Sequence, residues 1–408
     1  MPGPLNGIRV VDVTTNISGP SLTMILADLG AEIIKIERPD IGDDSRGMGP
    51  FWEGEGVYFL HINRNKQSIV IDLKKESGRE IVYDLVKKAD VFVENFRYQK
   101  AEKMGLGYER LKQLNPSLVY CSLSAYGQNG PLCDRPGYDA IAQADSGIIG
   151  INGAEGAEGA EIARVPVSVL DQGSAMWGAI GVISALFHQQ KTGEGQLVTT
   201  SLYETGVFWV GYHMLSWLAT GVEPKKNGAG HTAFAPYGAF QANDAPVIIG
   251  ISNNSLFKRL CKVLGKEGWV EDPRYKNNPE RVQNREVLRV AIENILQAKT
   301  ADEWVQLLAD AGVPSSKVKK ISEVVQDQQS EAIEMWTDVP HATIQDFKLP
   351  RLPFELSNSP VAIHQAPPKL GENSKEILEK LGYQQEKIEQ FLHDGTIQMD
   401  NRKIESPN

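Results

Sequence analysis

A single carboxylate, Asp171, stands in the run VPVSVLDQGSAMWGAIG (residues 165–181), between a short β-branched stretch and a long segment of small and apolar residues. Such a residue is a natural helix N-cap, because Asp accepts backbone N–H bonds there. A carboxylate at a helix N-terminus also stays ionised, so a cap can hold a chemical role of its own. Other chemistry-bearing residues occupy comparable places, just after β-branched runs. Arg38 follows EIIKIE, Asn95-Phe96-Arg97 follows DVFVE, and Ser124-Ala125-Tyr126-Gly127 follows LVYCSL. Arginine and asparagine suit phosphate and adenine recognition; an isolated carboxylate does not. The plainer alternatives are that Arg38 and Arg97 are solvated surface residues and that Tyr138 is a core aromatic.

The elements that must position these residues follow from periodicity. Strands are expected at residues 8–13, 32–37, 68–73, 90–94, 118–123, 165–170 and 196–202. Helices are expected at 19–29, 77–88, 108–113 and 172–189. Strands alternating with helices define an α/β fold with a mostly parallel sheet covered on both faces. In such sheets ligands sit at the carboxyl ends of the strands, which is where the residues above fall. Gly153–Glu161 (GAEGAEGAE) reads as an exposed acidic loop, and residues 220–230 (TGVEPKKNGAG) read as a linker. Beyond it come a hairpin over 237–251, helices at 255–264, 285–299 and 301–311, and C-terminal helices at 374–381 and 385–391. The expected organisation is a large domain over 1–220, a smaller α+β domain over 221–325, and a segment over 326–408 that returns to the large domain.

With 408 residues the chain is long enough for more than one core. A net charge of −10 excludes a broad nucleic-acid-binding face, though not a local basic pocket. Three widely spaced cysteines and seven scattered histidines give no metal-ligand spacing, so no metal site is expected. No signal or transit segment opens the chain and no apolar run approaches about 20 residues, so a cytoplasmic protein without a membrane span is expected. The first β-α turn reads TTNISGP, without a dinucleotide-binding glycine pattern, and there is neither a Walker motif nor a G-x-S-x-G elbow.

Taken in order, LNGIRVVDVTTNISGP, LGAEIIKIERPDIGDDSRG, ADVFVENFR, MGLGYERLKQLNPSLVYCSLSAYGQNGP, PGYDAIAQADSG, the Asp171 segment, KTGEGQLV, DPRYKNNPERVQNR and PPKLGENSKEIL carry a resemblance. The chain resembles the family III CoA-transferases, a group that includes formyl-CoA and carnitine CoA-transferases and α-methylacyl-CoA racemase. The resemblance implies a Rossmann-like large domain built from both termini, an inserted small domain, and a homodimer of interlocked rings. It implies that acyl-CoA and a free carboxylic acid are substrates, with no permanently bound cofactor.

Position by position, the resemblance places Asp171 on the catalytic aspartate. Arg38, Leu73, Lys74, Asn95, Phe96, Arg97, Lys103, Tyr138 and Asp139 fall on positions that line the CoA site, and the segment with His231 and Tyr237 falls near the acceptor acid. Ile17 stands near the place of an acyl-holding glutamine of formyl-CoA transferases, so formyl-CoA and oxalate are not implied as the pair. The racemase branch uses a histidine in a G-H-D triplet, whereas this chain has Gly137-Tyr138-Asp139. A phenol is a poor general base at neutral pH, so the transferase branch is expected and the racemase reading is the alternative. The implied chemistry is attack of an ionised Asp171 on the thioester, with N–H donors from the start of the following helix or from glycine-bearing loops stabilising the tetrahedral intermediates. Short mono- or dicarboxylates are the expected acids.

Overall fold

The computed structural model describes residues 3–154 and 162–399; from residue 155 on, the expected acidic loop lies outside them. The chain forms two compact units. One comprises Met1–Gly147, Pro166–Gly211 and Glu331–Asn408, the other Ile148–Val165 and Tyr212–Ser330.

The first unit begins with β1 (Arg9–Asp12), α1 (Ser18–Asp28) and β2 (Glu32–Glu37). It continues through β3 (Lys66–Ile71), α2 (Glu76–Val86), β4 (Val91–Glu94), α3 (Tyr108–Leu114) and β5 (Val119–Ser124). Next come α4 (Asp139–Asp145), the long α5 (Val169–Thr192), β6 (Leu197–Ser201) and α6 (Leu202–Trp209). Helix α7 (Gly211–Thr220) leads into the second unit.

In that unit β7 (Tyr237–Gln241) and β8 (Pro246–Gly250) form the expected hairpin. Helices α8 (Asn254–Val263), α9 (Arg285–Leu296) and α10 (Ala301–Asp310) pack on it, and β9 (Ser315–Lys317) joins β8 as a third strand. The chain then returns to the first unit. A short hairpin of β10 (Trp336–Asp338) and β11 (Lys348–Pro350) precedes α11 (Ser374–Leu381), α12 (Gln385–His393) and β12 (Ile397–Gln398).

The main sheet has the order β12-β3-β2-β1-β4-β5-β6, parallel throughout except for β12. Apart from that edge strand, this is the Rossmann order, with the chain direction reversing across the sheet at β1. Alternation within the strands divides the core between the two faces. Val11, Ile34 and Phe92 pack with α2, α11 and α12 on one face. Val10, Ile33, Val91 and Val93 pack with α1 and α5 on the other.

The strand expected over 165–170 does not form. Pro166 has no N–H for a ladder bond, Val167 is exposed, and Ser168 turns through the left-handed region at φ 48° to start α5 at Val169. The strand beside β5 is instead β6. Helix α5 is long and apolar enough by composition to cross a membrane, unlike what the shorter runs in the sequence implied, but half of its most apolar stretch is buried in the fold.

Small residues make that burial possible. A Cβ on Gly178 would lie 2.4 Å from Leu22 of α1, and one on Gly173 would lie 2.3 Å from the Trp209 ring of α6. The indole is rigid, so neither helix yields easily. Gly173→Val is therefore expected to lower unfolding free energy by about 1–3 kcal/mol through overpacking, read as a shift in denaturant midpoint. An unshifted midpoint would show that α6 moves freely against α5.

Candidate active site

The reversal of strand order at β1 splays apart the loops that follow β1 and β4, which leaves a crevice at the carboxyl edge of the sheet. A cavity of about 1080 Å³ lies there. It is lined by Thr14, Thr15, Asn16 and Ser18 after β1, Arg38 after β2, Leu73 and Lys74 after β3, and Asn95, Phe96 and Arg97 after β4. Lys103, Ser124, Ala125, Tyr138, Asp171 and Leu202 complete most of the wall. Of the expected CoA-site residues, only Asp139 is absent from this lining. His231 and Tyr237 belong to the second unit, their rings 5.5 Å apart, and the Nδ1 of His231 accepts a bond from the Ala233 amide.

The loops are held from beneath by buried charges. Lys35 and Asp43 form a fully buried ion pair at 2.8 Å. Lys35 also donates to the Thr14 carbonyl, and Asp43 accepts the Asn16 amide. This pins the β1–α1 turn, in which Asn16 has φ 67°. Burial alone would lower Lys35, but Asp43, Asp12 and Glu37 outweigh it and raise it above the usual lysine range. Asp12, in turn, accepts from Thr14 and Thr23.

Asn95 is spent on the same turn. Its oxygen accepts from Thr15 N and its amide donates to Thr15 O, so it stitches the loops after β1 and β4 together. Glu94, pushed up to about 7 by burial, accepts the Phe96 amide at 2.7 Å. The sequence carried a signal for this layer. Charged residues inside strands that are covered on both faces have to find buried partners.

The ligand-facing charges fall into two groups. Arg38 is engaged by Asp44 and the Gly42 carbonyl. Lys74, Arg97 and Lys103 are exposed and have no acidic partner among the described residues. Tyr138 is 70% exposed, so it is a wall residue and not a core aromatic. Gly137 beside it is required, because a Cβ there would sit 2.8 Å from Ala125. Ile17 joins a cluster with Met24, Ile62 and Leu352, and its neighbours Asn16 and Ser18 face the cavity instead.

Asp171 is the third residue of α5, not its N-cap; that position is Ser168, which makes no side-chain cap. The capping is done from another helix. Asp139 Oδ2 accepts the amides of Leu170 at 2.7 Å and Asp171 at 3.2 Å, and Gln172 N bonds Ser168 O. Of the N–H groups expected to serve reaction intermediates, those at the start of α5 are therefore already taken. The Asp171 carboxyl itself accepts no hydrogen bond and pairs with no cation among the described residues. Burial first, and then the nearby charge of Asp139, push it up to about 7. An ordinary carboxylate, fully ionised at neutral pH, was expected; burial and a like-charged neighbour bring the pKa of the one in the structure close to neutral pH.

A Rossmann-ordered sheet with a cation-lined crevice at its carboxyl edge suits an anionic ligand. The family model "CoA-transferase family III" matches residues 5–374, and the chain belongs to that family. It is an acyl-CoA:carboxylate CoA-transferase. The chain is 38% identical over 333 residues to an acetyl-CoA:oxalate CoA-transferase of Acetobacter aceti, covering 82% of this chain and 85% of that one. It is 36% identical over 406 residues to a succinyl-CoA:glutarate CoA-transferase of Mus musculus, covering 98% and 92%. Among solved structures, a CaiB/BaiF family protein from Brucella suis matches with a TM-score of 0.85 and 34% identity, covering 93% of this chain and all of the other.

The raised Asp171 carries a stability signature. With a folded value near 7 and an unfolded value near 3.9, the folded state holds the extra proton between those limits, so stability falls as pH rises through that window. Asp171→Asn removes this dependence. It is expected to be about 1–3 kcal/mol more stable than the unsubstituted protein at pH 8 and equal to it near pH 4. Denaturant midpoints at the two pH values measure this, and a substituted protein no more stable at pH 8 would contradict the raised value.

Proposed function

We propose that Asp171 is the nucleophile of a CoA transfer through covalent aspartyl intermediates, with small dicarboxylates as the acids exchanged. The observation that carries this reading is the Asp171 carboxyl, which lines the cavity with no bond of its own. A carboxylate oxygen attacks the thioester carbonyl, the C–S bond breaks, and CoA leaves as the thiolate with an aspartyl–acyl anhydride left behind. The thiolate attacks the aspartyl carbonyl and releases the donor acid, which leaves an aspartyl-CoA thioester. The acceptor carboxylate displaces the thiolate to form a second anhydride. The thiolate then takes the acceptor acyl group and frees Asp171.

The raised value of Asp171 supports this chemistry. An ordinary aspartate near 3.9 is a far better leaving group than a thiolate near 8.5, so its attack on a thioester reverses easily. Raising it to about 7 narrows that gap from about 4–5 units to about 1–2. The amides that start α5 are spent, whereas Ser18 opens α1 at the cavity wall with no carbonyl four residues back inside its helix. Ser18 N–H is thus a donor for the tetrahedral oxyanions. Lys74, Arg97 and Lys103 take the phosphates of CoA. Dicarboxylates are favoured by the names of the relatives, which act on oxalate and glutarate.

A homodimer is part of the proposal. Met176, Ile180 and Phe187 on the outer face of α5 are each more than half exposed. In the second unit Tyr212, Leu215 and Leu218 of α7 are exposed to 67–70%. Apolar surface of this extent is ordinarily covered by another protein, and an interlocked second copy covers it in this reading.

Three measurements test the proposal. Incubation with acetyl-CoA plus oxalate, and with succinyl-CoA plus glutarate, is expected to yield the exchanged CoA esters without loss of α-hydrogen to deuterated solvent. Solvent exchange with no acceptor present would favour the racemase reading. Hydroxylamine trapping is expected to modify Asp171, and Asp171→Ala to lower kcat by about a thousandfold or more; an unmodified Asp171 in a turning-over enzyme would sink the covalent route. Sedimentation is expected to give twice the chain mass of 44.9 kDa, with Ile180→Glu dissociating the pair. A monomer at micromolar concentration would refute the dimer.

A further inference from the structure

We propose that Asp139 is a positioning residue of the transfer: seated on the amides of Leu170 and Asp171, it fixes the first turn of α5 and keeps the Asp171 carboxyl facing the cavity without a donor. This deepens the reading of Asp171 as nucleophile and rests on it.

The geometry makes the case. The N-cap Ser168 supplies no side-chain bond, so the free N–H groups of the long helix have to be satisfied from elsewhere. Asp139 meets that need with one oxygen, while its other oxygen accepts from Gln143 one turn along α4. The residue is buried, 4% exposed, with both oxygens engaged. It is absent from the cavity lining to which its neighbour Tyr138 belongs. Without Asp139, the amides of Leu170 and Asp171 would be the nearest donors for the Asp171 carboxyl, since an acid in the first turn ordinarily folds back on them.

The charges around Asp171 leave Asp139 as the one that matters. On the helices packed against α5, Asp145 is bonded to the Tyr126 hydroxyl, Glu204 to Ser201, and Asp28 to Arg64. Among the described residues, the basic side chains of the cavity, Arg38, Lys74, Arg79, Arg97, Lys100, Lys103 and Arg135, make no bond to Asp171. Of all these, only Asp139 acts on it appreciably, and it acts to disfavour the anion.

The test monitors single-turnover acylation of Asp171 by succinyl-CoA, read by mass spectrometry across pH 5–9 in the full chain. The rate is expected to rise with pH as Asp171 ionises, with a limb near 7 in the unsubstituted enzyme. Asp139→Asn keeps an acceptor for both amides but loses the charge, so the limb is expected to move down by about half a unit or more. Asp139→Ala also frees the amides for Asp171. The limb is then expected to fall further, and the plateau rate to drop on the order of a hundredfold because the nucleophile is misplaced. Melting curves separate these effects from loss of fold, and Asp139→Asn carries the test if the alanine variant does not fold.

A residue that merely stabilises the fold would lower the rate or the melting temperature and leave the limb where it was. An unmoved limb in Asp139→Asn would overturn the positioning role alone. Absence of any adduct on Asp171 in the unsubstituted enzyme would overturn the nucleophile reading together with it.

Discussion

The start of α5 offers two amides, and a neighbouring carboxylate takes both. Much of the site follows from that allocation. Left to itself, an acid in the first turn of a helix gains hydrogen bonds and a favourable dipole, and its pKa falls. Here those gains go to Asp139, and the acid that faces the cavity keeps only the costs of burial and a like-charged neighbour. Natural proteins rarely leave a half-buried carboxyl so poorly served unless its reactivity is wanted.

The crevice around it is made of loops, and loops have no ladder of their own to satisfy their backbone. Side chains supply the missing bonds. Asn95 holds Thr15 through both amide atoms, Lys35 holds the Thr14 carbonyl, Asp43 holds the Asn16 amide, and Glu94 holds Phe96. Buried ion pairs such as Lys35–Asp43 are weak sources of net stability, because desolvation offsets much of the attraction. Their worth here is geometric. Lys66, fully buried beside Asp12 and pulled down to about 7, shows how costly that layer is.

Much of this was legible in the sequence. Periodicity placed β2 and α11 at their observed bounds and most other elements within two residues, because strands covered on both faces and amphipathic helices leave strong repeats. It failed at 165–170, where two valines flank a proline and the local β preference lost to a left-handed turn at Ser168. The residues just past each strand end nominated Arg38, Asn95, Phe96 and Arg97, all of which face the cavity. The same device named Asp171 for a wrong local reason, since no strand precedes it. What the sequence could not convey was where each polar group spends its bonds. Asn95, nominated as a ligand contact, also bonds the Thr15 backbone, and Asp139, nominated for the wall, takes the first amides of α5. Those are three-dimensional facts, set by which loops the sheet order brings together.

The distribution of charge then constrains what the cavity can hold. In a chain of net charge −10, three of the acids around the crevice are neutralised internally: Glu37 by Arg46, Asp43 by Lys35 and Asp44 by Arg38. Among the described residues, Lys74, Arg97 and Lys103, which follow β3 and β4 in the chain, pair with no acid, while the Asp171 carboxyl stands without a partner at the start of α5. A small dicarboxylate alone would have no reason to lie against Asp171, because two anions repel. In the proposed reading, a long ligand sets its phosphates on these cations and an uncharged thioester carbonyl against Asp171. On the proposed route, acylation removes the charge of Asp171 before the free acid reaches it, which eases the approach of a second anion.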